Sequence, residues 1–190
     1  MQHRLLRILA LVFFVSTLAN AGVVFSGSFT GAFDPANWTL TNNNGGDGYQ
    51  VVNSPTSVSV FGADNGVGPN ITTFWITSPA SGTVDVDWLY NTYDCCGSEW
   101  DPAGYEINGV TSQLSVSNGN PGVSQTGEIS FSVNAGDTFG FYVYSADSIL
   151  GRGEITITPG SSVIPEPSTV GYLTTGLVAL WFGRRRWFTR

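Results

Sequence analysis

Hydrophobic and polar residues alternate along most of the middle of the chain. In residues 83–90 every second position from Val84 to Tyr90 is apolar, and Asp85 and Asp87 lie between the apolar positions. This period of two is typical of a strand with one buried face. The same pattern predicts further strands at 23–30, 49–53, 57–61, 71–77, 104–107, 113–117, 128–133, 138–144 and around Ile155 and Ile157.

Glycine, asparagine, aspartate and proline separate these short strands, and no helical period is sustained between residues 22 and 158. Residues 134–137, Asn-Ala-Gly-Asp, indicate a hairpin turn between two strong strands. Many short strands with regular turn signals favour two packed sheets. We therefore expect an all-β domain at 22–158, an antiparallel two-sheet sandwich that is jelly-roll-like.

Residues 1–21 are typical of a secretory signal helix, which signal peptidase removes. A positively charged start precedes an apolar run at 5–18, and Ala19 and Ala21 provide the small-x-small cleavage pattern. An uncleaved membrane anchor is the alternative. The run is short for a span and the cleavage pattern is well placed, so cleavage is favoured.

The C-terminal end has three parts in a fixed order. A spacer at 159–168 contains Pro165, Glu166 and Pro167, an apolar segment follows at 169–183, and an arginine-rich tail occupies 184–190. As a transmembrane helix, the apolar segment would be about 22 Å long, shorter than the ~30 Å hydrocarbon core. Arginines remain on the cytoplasmic side, so membrane retention is assigned to Arg184, Arg185 and Arg186.

This arrangement resembles the PEP-CTERM sorting tail, in which a Pro-Glu-Pro triplet, a hydrophobic helix and an arginine cluster end the chain. The resemblance implies sorting and cleavage at Pro165, Glu166 and Pro167 by an exosortase of Gram-negative bacteria. It also implies a link to extracellular polysaccharide and biofilm. The chain would pass the inner membrane, be held there transiently, and finish at the cell surface or outside the cell. A plain tail anchor is the alternative.

The body resembles an ectodomain type that recurs with such tails and has no assigned catalytic residues. The matching stretches are 33–39, 84–88, 103–109 and 133–141. This second resemblance implies a sandwich ectodomain and names no ligand.

The charges are sharply segregated. The stretch from Gly22 to Glu166 holds all 14 acidic residues against Arg152 alone, a formal charge of about −13. Such a body repels nucleic acid and attracts divalent cations. The only histidine is His3, which is lost with the signal, so the domain lacks an imidazole for a triad or a zinc site. We therefore expect a protein that is not an enzyme.

Acidic and aromatic residues meet in the segment 91–101. Asp94, Glu99 and Asp101 are hard oxygen ligands of the kind that calcium prefers, although no known calcium motif is present. Solvated loop acids are the commoner arrangement, so calcium remains one of two alternatives. Trp100 is the tryptophan best placed to stack on a sugar ring, and packing at the rim of the domain is its alternative.

Two further groups carry open alternatives. Cys95 and Cys96 are adjacent, and a strained vicinal disulfide, intermolecular bonds and free thiols are all compatible with the sequence. Asp85 and Asp87 lie about 6–7 Å apart along one strand face, which overlaps the spacing of glycosidase carboxylates. Exposed strand acids are far commoner as solvation than as catalysts.

Three functions are compatible with these observations. The first is a non-enzymatic structural or adhesive protein linked to exopolysaccharide or biofilm. The second is a calcium-assisted carbohydrate-binding module on the same scaffold. The third is a carboxylate-dependent glycoside hydrolase.

Overall fold

The computed structural model of the chain describes residues 22–117 and 119–160. Gly22–Ser162 forms one compact unit. Its strands are β1 (Gly22–Phe25), β2 (Thr39–Asn42), β3 (Tyr49–Asn53), β4 (Ser57–Phe61), β5 (Asn70–Thr77), β6 (Gly82–Thr92), β7 (Ala103–Ile107), β8 (Val110–Gln113), β9 (Gln125–Val133), β10 (Thr138–Ser145) and β11 (Gly153–Pro159). Two 3₁₀ turns, Gly31–Phe33 and Pro35–Asn37, lie between β1 and β2.

The strands form two sheets, as the alternation predicts. The first sheet has the neighbours β9-β6-β11-β4-β3, and the second has the order β2-β5-β10-β7-β8. β1 lies parallel to the start of β6, and all other pairs are antiparallel. Strands β4 to β11 divide between the sheets as β4-β11-β6-β9 and β5-β10-β7-β8, and consecutive strands lie in different sheets except for the hairpin pair β7 and β8. This order is that of a jelly roll.

Most predicted strands are confirmed, with three corrections. The strand predicted at 113–117 is wrong: β8 starts at Val110, because Asn108 (φ 51°) and Gly109 (φ 78°) form a two-residue hairpin turn. The strand predicted at 23–30 ends at Phe25, before the bend at Gly27 (φ 81°). β2 was not predicted, since its short sequence Thr-Leu-Thr-Asn has only Leu40 facing the core.

The predicted hairpin at 134–137 is a turn of a different kind. β9 pairs with β6 in the first sheet, whereas β10 pairs with β5 and β7 in the second. The turn therefore carries the chain from one sheet to the other. It does so because both strands have an apolar face, and Val133 and Phe139 both enter the core between the sheets.

The core between the sheets is rich in aromatic side chains. Trp38 stacks on Phe74 with ring centroids 5.1 Å apart, and its indole N–H donates to the Phe33 carbonyl at 3.1 Å. The predicted inward positions Val84, Val86 and Tyr90 are fully buried. Their burial fixes the register of β6, so Asp85 and Asp87 face outward as predicted.

The two ends of the sandwich differ in their connections. Residues 43–48, 62–69, 93–102, 114–117, 119–124 and 146–152 lie at one end, here called the long-loop end. Residues 54–56, 78–81, 108–109 and 134–137 lie at the other, here called the short-turn end. Acidic residues concentrate in the long loops.

The predicted signal (1–21) and the tail from Ser161 onward lie outside the described residues, together with the sorting motif and the flanking helices. Within residues 22–117 and 119–160, no helix has the length and hydropathy of a membrane span. The last described strand ends at Pro159, one residue beyond the predicted domain limit.

Candidate binding site at the long-loop end

The β6–β7 loop (93–102) is the central feature of the long-loop end. Its first residue is anchored by the Tyr93 N–H, which donates to the Arg152 carbonyl at 2.9 Å. Near its end, the Ala146 N–H donates to the Trp100 carbonyl at 2.8 Å. In the middle, the Ser98 N–H donates to the Gly119 carbonyl at 3.2 Å. Three backbone bonds to two other loops therefore hold this loop in place.

Two aromatic side chains of this loop face solvent. Tyr93 is 61% exposed and Trp100 is 39% exposed. The Tyr93 hydroxyl donates to Glu154 Oε2 at 2.8 Å, which raises the pKa of Tyr93 and fixes the direction of its ring. Trp100 was the predicted sugar contact, and its exposure is compatible with that prediction. Tyr93 was not predicted, because an isolated tyrosine at the end of a strand carries no signal in the sequence.

The predicted calcium ligands occupy different environments. Asp94 and Asp101 are each only 1% exposed, whereas Glu99 is exposed to solvent. Burial raises the pKa of Asp101 to about 7, with further contributions from the charges of Asp94, Asp147 and Asp64. The structure therefore brings Asp94 and Asp101 together with two acids from other loops. Asp64 and Asp147 were missed, since only the fold brings them near 94–101.

Asp101 also lies beside buried neutral polar groups. The Tyr90 hydroxyl donates to the Asp101 carbonyl at 2.7 Å. Ser145 lowers the pKa of Asp101, yet no hydrogen bond of normal geometry reaches Asp101 Oδ2 or Ser145 Oγ. Both oxygen atoms are therefore unpartnered within the described residues.

Cys95 and Cys96 form the exposed tip of the same loop. Both are free thiols, and their Sγ atoms are 2.7 Å apart. The hydrogen bond from Cys95 raises the pKa of the Cys96 thiol to about 11, so little thiolate is present at neutral pH. The Cys96 N–H donates to Asp94 Oδ1 at 2.6 Å. The tip thus helps to orient the Asp94 carboxylate.

Arg152 ties two further loops together. It is the only basic residue in the described part of the chain, and its Nη2 lies 2.7 Å from Asp47 Oδ2. Its Nη1 donates to the Gly62 carbonyl at 2.7 Å, and its guanidinium lies 5.4 Å from the centre of the Tyr49 ring. Because Arg152 is engaged by Asp47, it does not neutralise Asp94 or Asp101.

The carboxylates considered for hydrolysis lie away from this end, on the outer face of the first sheet. Asp87 stands directly opposite Glu128 on β9, and both line an open, shallow groove of about 320 Å³. Asp85 lies against Gly160 rather than in the groove. The structure therefore places Asp85 and Asp87 in different surroundings, and Glu128 is the acid that faces Asp87.

Among solved structures, the chain is similar to carbohydrate-binding modules. A family 35 module from Clostridium thermocellum is 14% identical with a TM-score of 0.36, and the match covers 62% of this chain and 90% of that one. A family 61 module in complex with β-1,4-galactotriose is 14% identical with a TM-score of 0.39, over 75% and 93%. A family 35 module of Abf62 from Cellvibrio japonicus is 18% identical with a TM-score of 0.34, over 76% and 91%.

No protein-family model and no curated protein matches the chain. At these identities and TM-scores, the similar structures assign no ligand to this chain. The function is therefore argued from its own side chains.

Proposed function

We propose that this chain is an exported, non-catalytic protein that binds polysaccharide through its long-loop end and acts as an adhesive element outside the cell. The observation that carries the proposal is Tyr93, an aromatic ring that is 61% exposed yet held in one direction by its bond to Glu154. A ring fixed before binding loses little conformational entropy when a ligand stacks on it.

Other side chains of the long-loop end favour a sugar as the ligand. Trp100 on the same loop offers a second apolar ring face. Glu99 and Asp147 supply carboxylate oxygens that accept hydrogen bonds from sugar hydroxyls. The acidic charge of this end repels anionic polymers, so a neutral polysaccharide fits best. Calcium belongs to the proposal as an ion that would hold the loops around Asp94 and Asp101.

The binding test uses affinity electrophoresis and glycan arrays with a set of neutral polysaccharides. Tyr93→Ala and Trp100→Ala are each expected to weaken binding about tenfold, as loss of one stacking ring costs roughly 1–2 kcal/mol. Tyr93→Phe keeps the ring but loses the bond to Glu154, so its affinity should fall between those of the wild type and Tyr93→Ala. Val110→Ala, at an exposed apolar position on the short-turn side, is the control. Equal binding by Tyr93→Ala and the wild type would overturn the proposed site.

A hydrolase is the competing proposal, and its residues differ. Asp87 and Glu128 would have to act in an open groove on a flat sheet face, which does not exclude water from a substrate. Incubation of polysaccharides with the protein should therefore release no reducing ends. If it does, and Asp87→Asn or Asp85→Asn abolishes the release, the non-catalytic proposal is wrong.

The proposed location depends on the two ends of the sequence. Signal peptidase would cleave after Ala21, and an exosortase would process the tail at Pro165, Glu166 and Pro167 after the arginine cluster has held it in the membrane. Glu166→Ala should then leave export intact but keep the protein in the inner membrane. Mass spectrometry of the mature C-terminus is decisive: surface protein that still carries residues 187–190 would exclude sorting.

A further inference from the structure

Three buried side chains at the long-loop end each have an oxygen atom without a hydrogen-bond partner. They are Asn70 Oδ1, Asp101 Oδ2 and Ser145 Oγ, and the three residues are at most 1% exposed. Buried polar oxygens in folded proteins are nearly always partnered, because desolvation without a compensating bond is unfavourable. Three such atoms in one region of the described chain mark a place where a bound water or cation would supply the partner that each one lacks.

The strand register places these side chains in one row. Ser145 on β10 pairs directly with Asn70 on β5. On the other side of β10, Val143 pairs with Ala103 of β7. The same register extends beyond the end of β7, because the Ala146 N–H donates to the Trp100 carbonyl. Asp101 thus stands opposite Ser145. Neighbouring strands are about 4.8 Å apart, so the three side chains line one short path on the inner face.

Glycine backbone of the facing sheet packs closely against this row. Gly62 and Gly153 lie across from it, and a Cβ atom on either would crowd the row. On Gly62 it would stand 2.6 Å from Ser145 Oγ, and on Gly153 it would stand 2.8 Å from Asp101 Cβ. Any side chain there would contact the row, so only backbone faces it.

The charge around the row has no local counter-ion. Asp101 is buried, and the carboxylates of Asp64, Asp94 and Asp147 lie near enough to repel its charge. Arg152, the one basic residue in the described ranges, is engaged by Asp47 at 2.7 Å. A bound cation would remove this repulsion.

We propose that the row is a calcium site, in which Asp101 Oδ2, Ser145 Oγ and Asn70 Oδ1 are the side-chain ligands. The charge of the ion is balanced by Asp101 and the neighbouring Asp94. Carboxylate, amide and hydroxyl oxygens in irregular geometry suit calcium, which takes six to eight oxygens, better than magnesium, which requires a regular octahedron. The site rests on the proposed function only in the ion's role of supporting the sugar-binding loop.

The ligand set differs from the one predicted from the sequence. Asp101 remains a calcium ligand, and Asp94 helps to balance the charge of the ion without being a ligand. Glu99 is exposed and is not among the charges that act on Asp101, so it takes no part. Asn70 and Ser145 enter because the register brings them beside Asp101. Residues this far apart in the chain give no motif in the sequence.

The test uses the full-length chain, first stripped with a chelator. Calcium should raise Tm more than sodium chloride of equal ionic strength. Terbium should bind and luminesce by energy transfer from Tyr90, whose hydroxyl lies 2.7 Å from the Asp101 carbonyl, and calcium should displace it. Asp101→Asn should weaken calcium binding at least tenfold and Ser145→Ala severalfold. Asp137→Asn, an acid at the short-turn end, is the matched control and should bind calcium normally.

Ser145→Ala also separates a ligand from a merely structural residue. In chelator, removal of an unpartnered oxygen should leave Tm unchanged or raise it, whereas a structural hydroxyl would lower Tm with or without calcium. The site is overturned if calcium acts no more strongly than sodium chloride, or if Asp101→Asn binds calcium like the wild type. Trp100→Ala should bind sugar about tenfold more weakly and keep calcium, so failure of the sugar proposal is recognised separately.

Discussion

At the short-turn end, Asp137 accepts hydrogen bonds from the Asn134 N–H at 2.7 Å and from Asn108 Nδ2 at 3.0 Å. Asn108 Oδ1 in turn accepts from the Thr138 N–H at 2.9 Å. At the long-loop end, by contrast, Asp101, Ser145 and Asn70 each keep an oxygen atom without a partner. The same residue types are satisfied at one end and left open at the other.

This difference shows what each end contributes. Short turns with partnered polar groups fix where one strand ends and the next begins, so they set register. The long loops leave buried oxygens and a concentration of negative charge unsatisfied, which lowers stability. Proteins tolerate such groups where they bind something. The short-turn end therefore serves the fold, and the long-loop end is the place to look for a ligand.

The largest expected effect comes from two glycines with positive φ, one at each end. An alanine Cβ at Gly151 (φ 137°) would lie 2.2 Å from the Tyr93 carbonyl oxygen, whereas Gly136 (φ 91°) has open space around it. Gly136→Ala should cost about 1–2 kcal/mol for its backbone conformation alone. Gly151→Ala adds the overlap with a fixed backbone, for about 2–5 kcal/mol in all.

Denaturant unfolding of both variants measures this difference. Gly151→Ala should also weaken polysaccharide binding, because Tyr93 must move. Equal destabilisation by the two substitutions would show that the backbone of the long loops can shift to accept a Cβ atom at no more cost than an open turn. The contrast between the two ends would then fail.

Arg152 gives the next largest effect. Arg152→Ala removes the ion pair with Asp47 and the bond to the Gly62 carbonyl, and should cost about 1–2 kcal/mol, since Arg152 is partly exposed. Hydrogen exchange should show faster opening in 43–48 and 62–69 and no change at the short-turn end. Arg152→Lys keeps the charge but lacks the forked donors, so intermediate protection is expected. Uniform loss of protection would mean that Arg152 supports the whole domain.

Much of the fold follows from the sequence, because the position and the buried face of a strand depend on the local alternation of apolar and polar residues. The predicted strands 49–53 and 57–61 match β3 and β4 residue for residue, and the outward direction of Asp85 and Asp87 is confirmed. The errors lie where the residues of a turn determine at which residue a strand begins or ends. The Asn108–Gly109 pair was the signal that would have placed β8 correctly. Which sheet a strand joins, as for β9 and β10, is a long-range property that period alone does not carry.

The candidate site was less accessible to sequence reasoning. Asp94, Asp101 and Trp100 were found because they fall in one acidic, aromatic segment. Asn70 and Ser145 lie far from it in the chain and meet Asp101 only through the pairing of β5, β10 and β7. A serine and an asparagine at strand ends are also ordinary residues. Only burial without a partner, which no sequence displays, distinguishes them.

The third prediction concerns acid stability at the short-turn end. The hydrogen bond from the Asn134 backbone, with that from Asn108, holds the pKa of Asp137 below its ordinary value of 3.8. A lowered native pKa stabilises the fold above the ordinary value, and this contribution is lost as pH falls through the native pKa. Asp137→Asn should therefore lower Tm near neutral pH, and the gap to wild type should close below pH 3.8.

Thermal unfolding from neutral pH to below pH 3.8, with and without calcium, tests the lower Tm of Asp137→Asn and its disappearance in acid. The effect of Asp137→Asn should be independent of calcium, because the residue belongs to the turn. If calcium changes its effect on Tm, cations act at both ends, and the assignment of ligand binding to the long-loop end alone is wrong.

The smallest effect is expected on the outer face of the first sheet, which belongs to neither end. Asp87 and Glu128 are exposed cross-strand partners, and like charges in that arrangement are mildly unfavourable. Glu128→Gln should stabilise the domain by about 0.2–0.5 kcal/mol, roughly 1 °C in Tm, at low salt. Glu128→Asp keeps the charge and is the control. Because the pair is exposed, the gain should vanish in ~0.5 M sodium chloride, where screening acts over a few ångströms.

The calcium-induced rise in Tm should be the same in Glu128→Gln as in the wild type, since the cation is assigned to Asp101. A rise that disappears with Glu128→Gln would place the cation in the groove beside Asp87 and remove the functional distinction between the two ends.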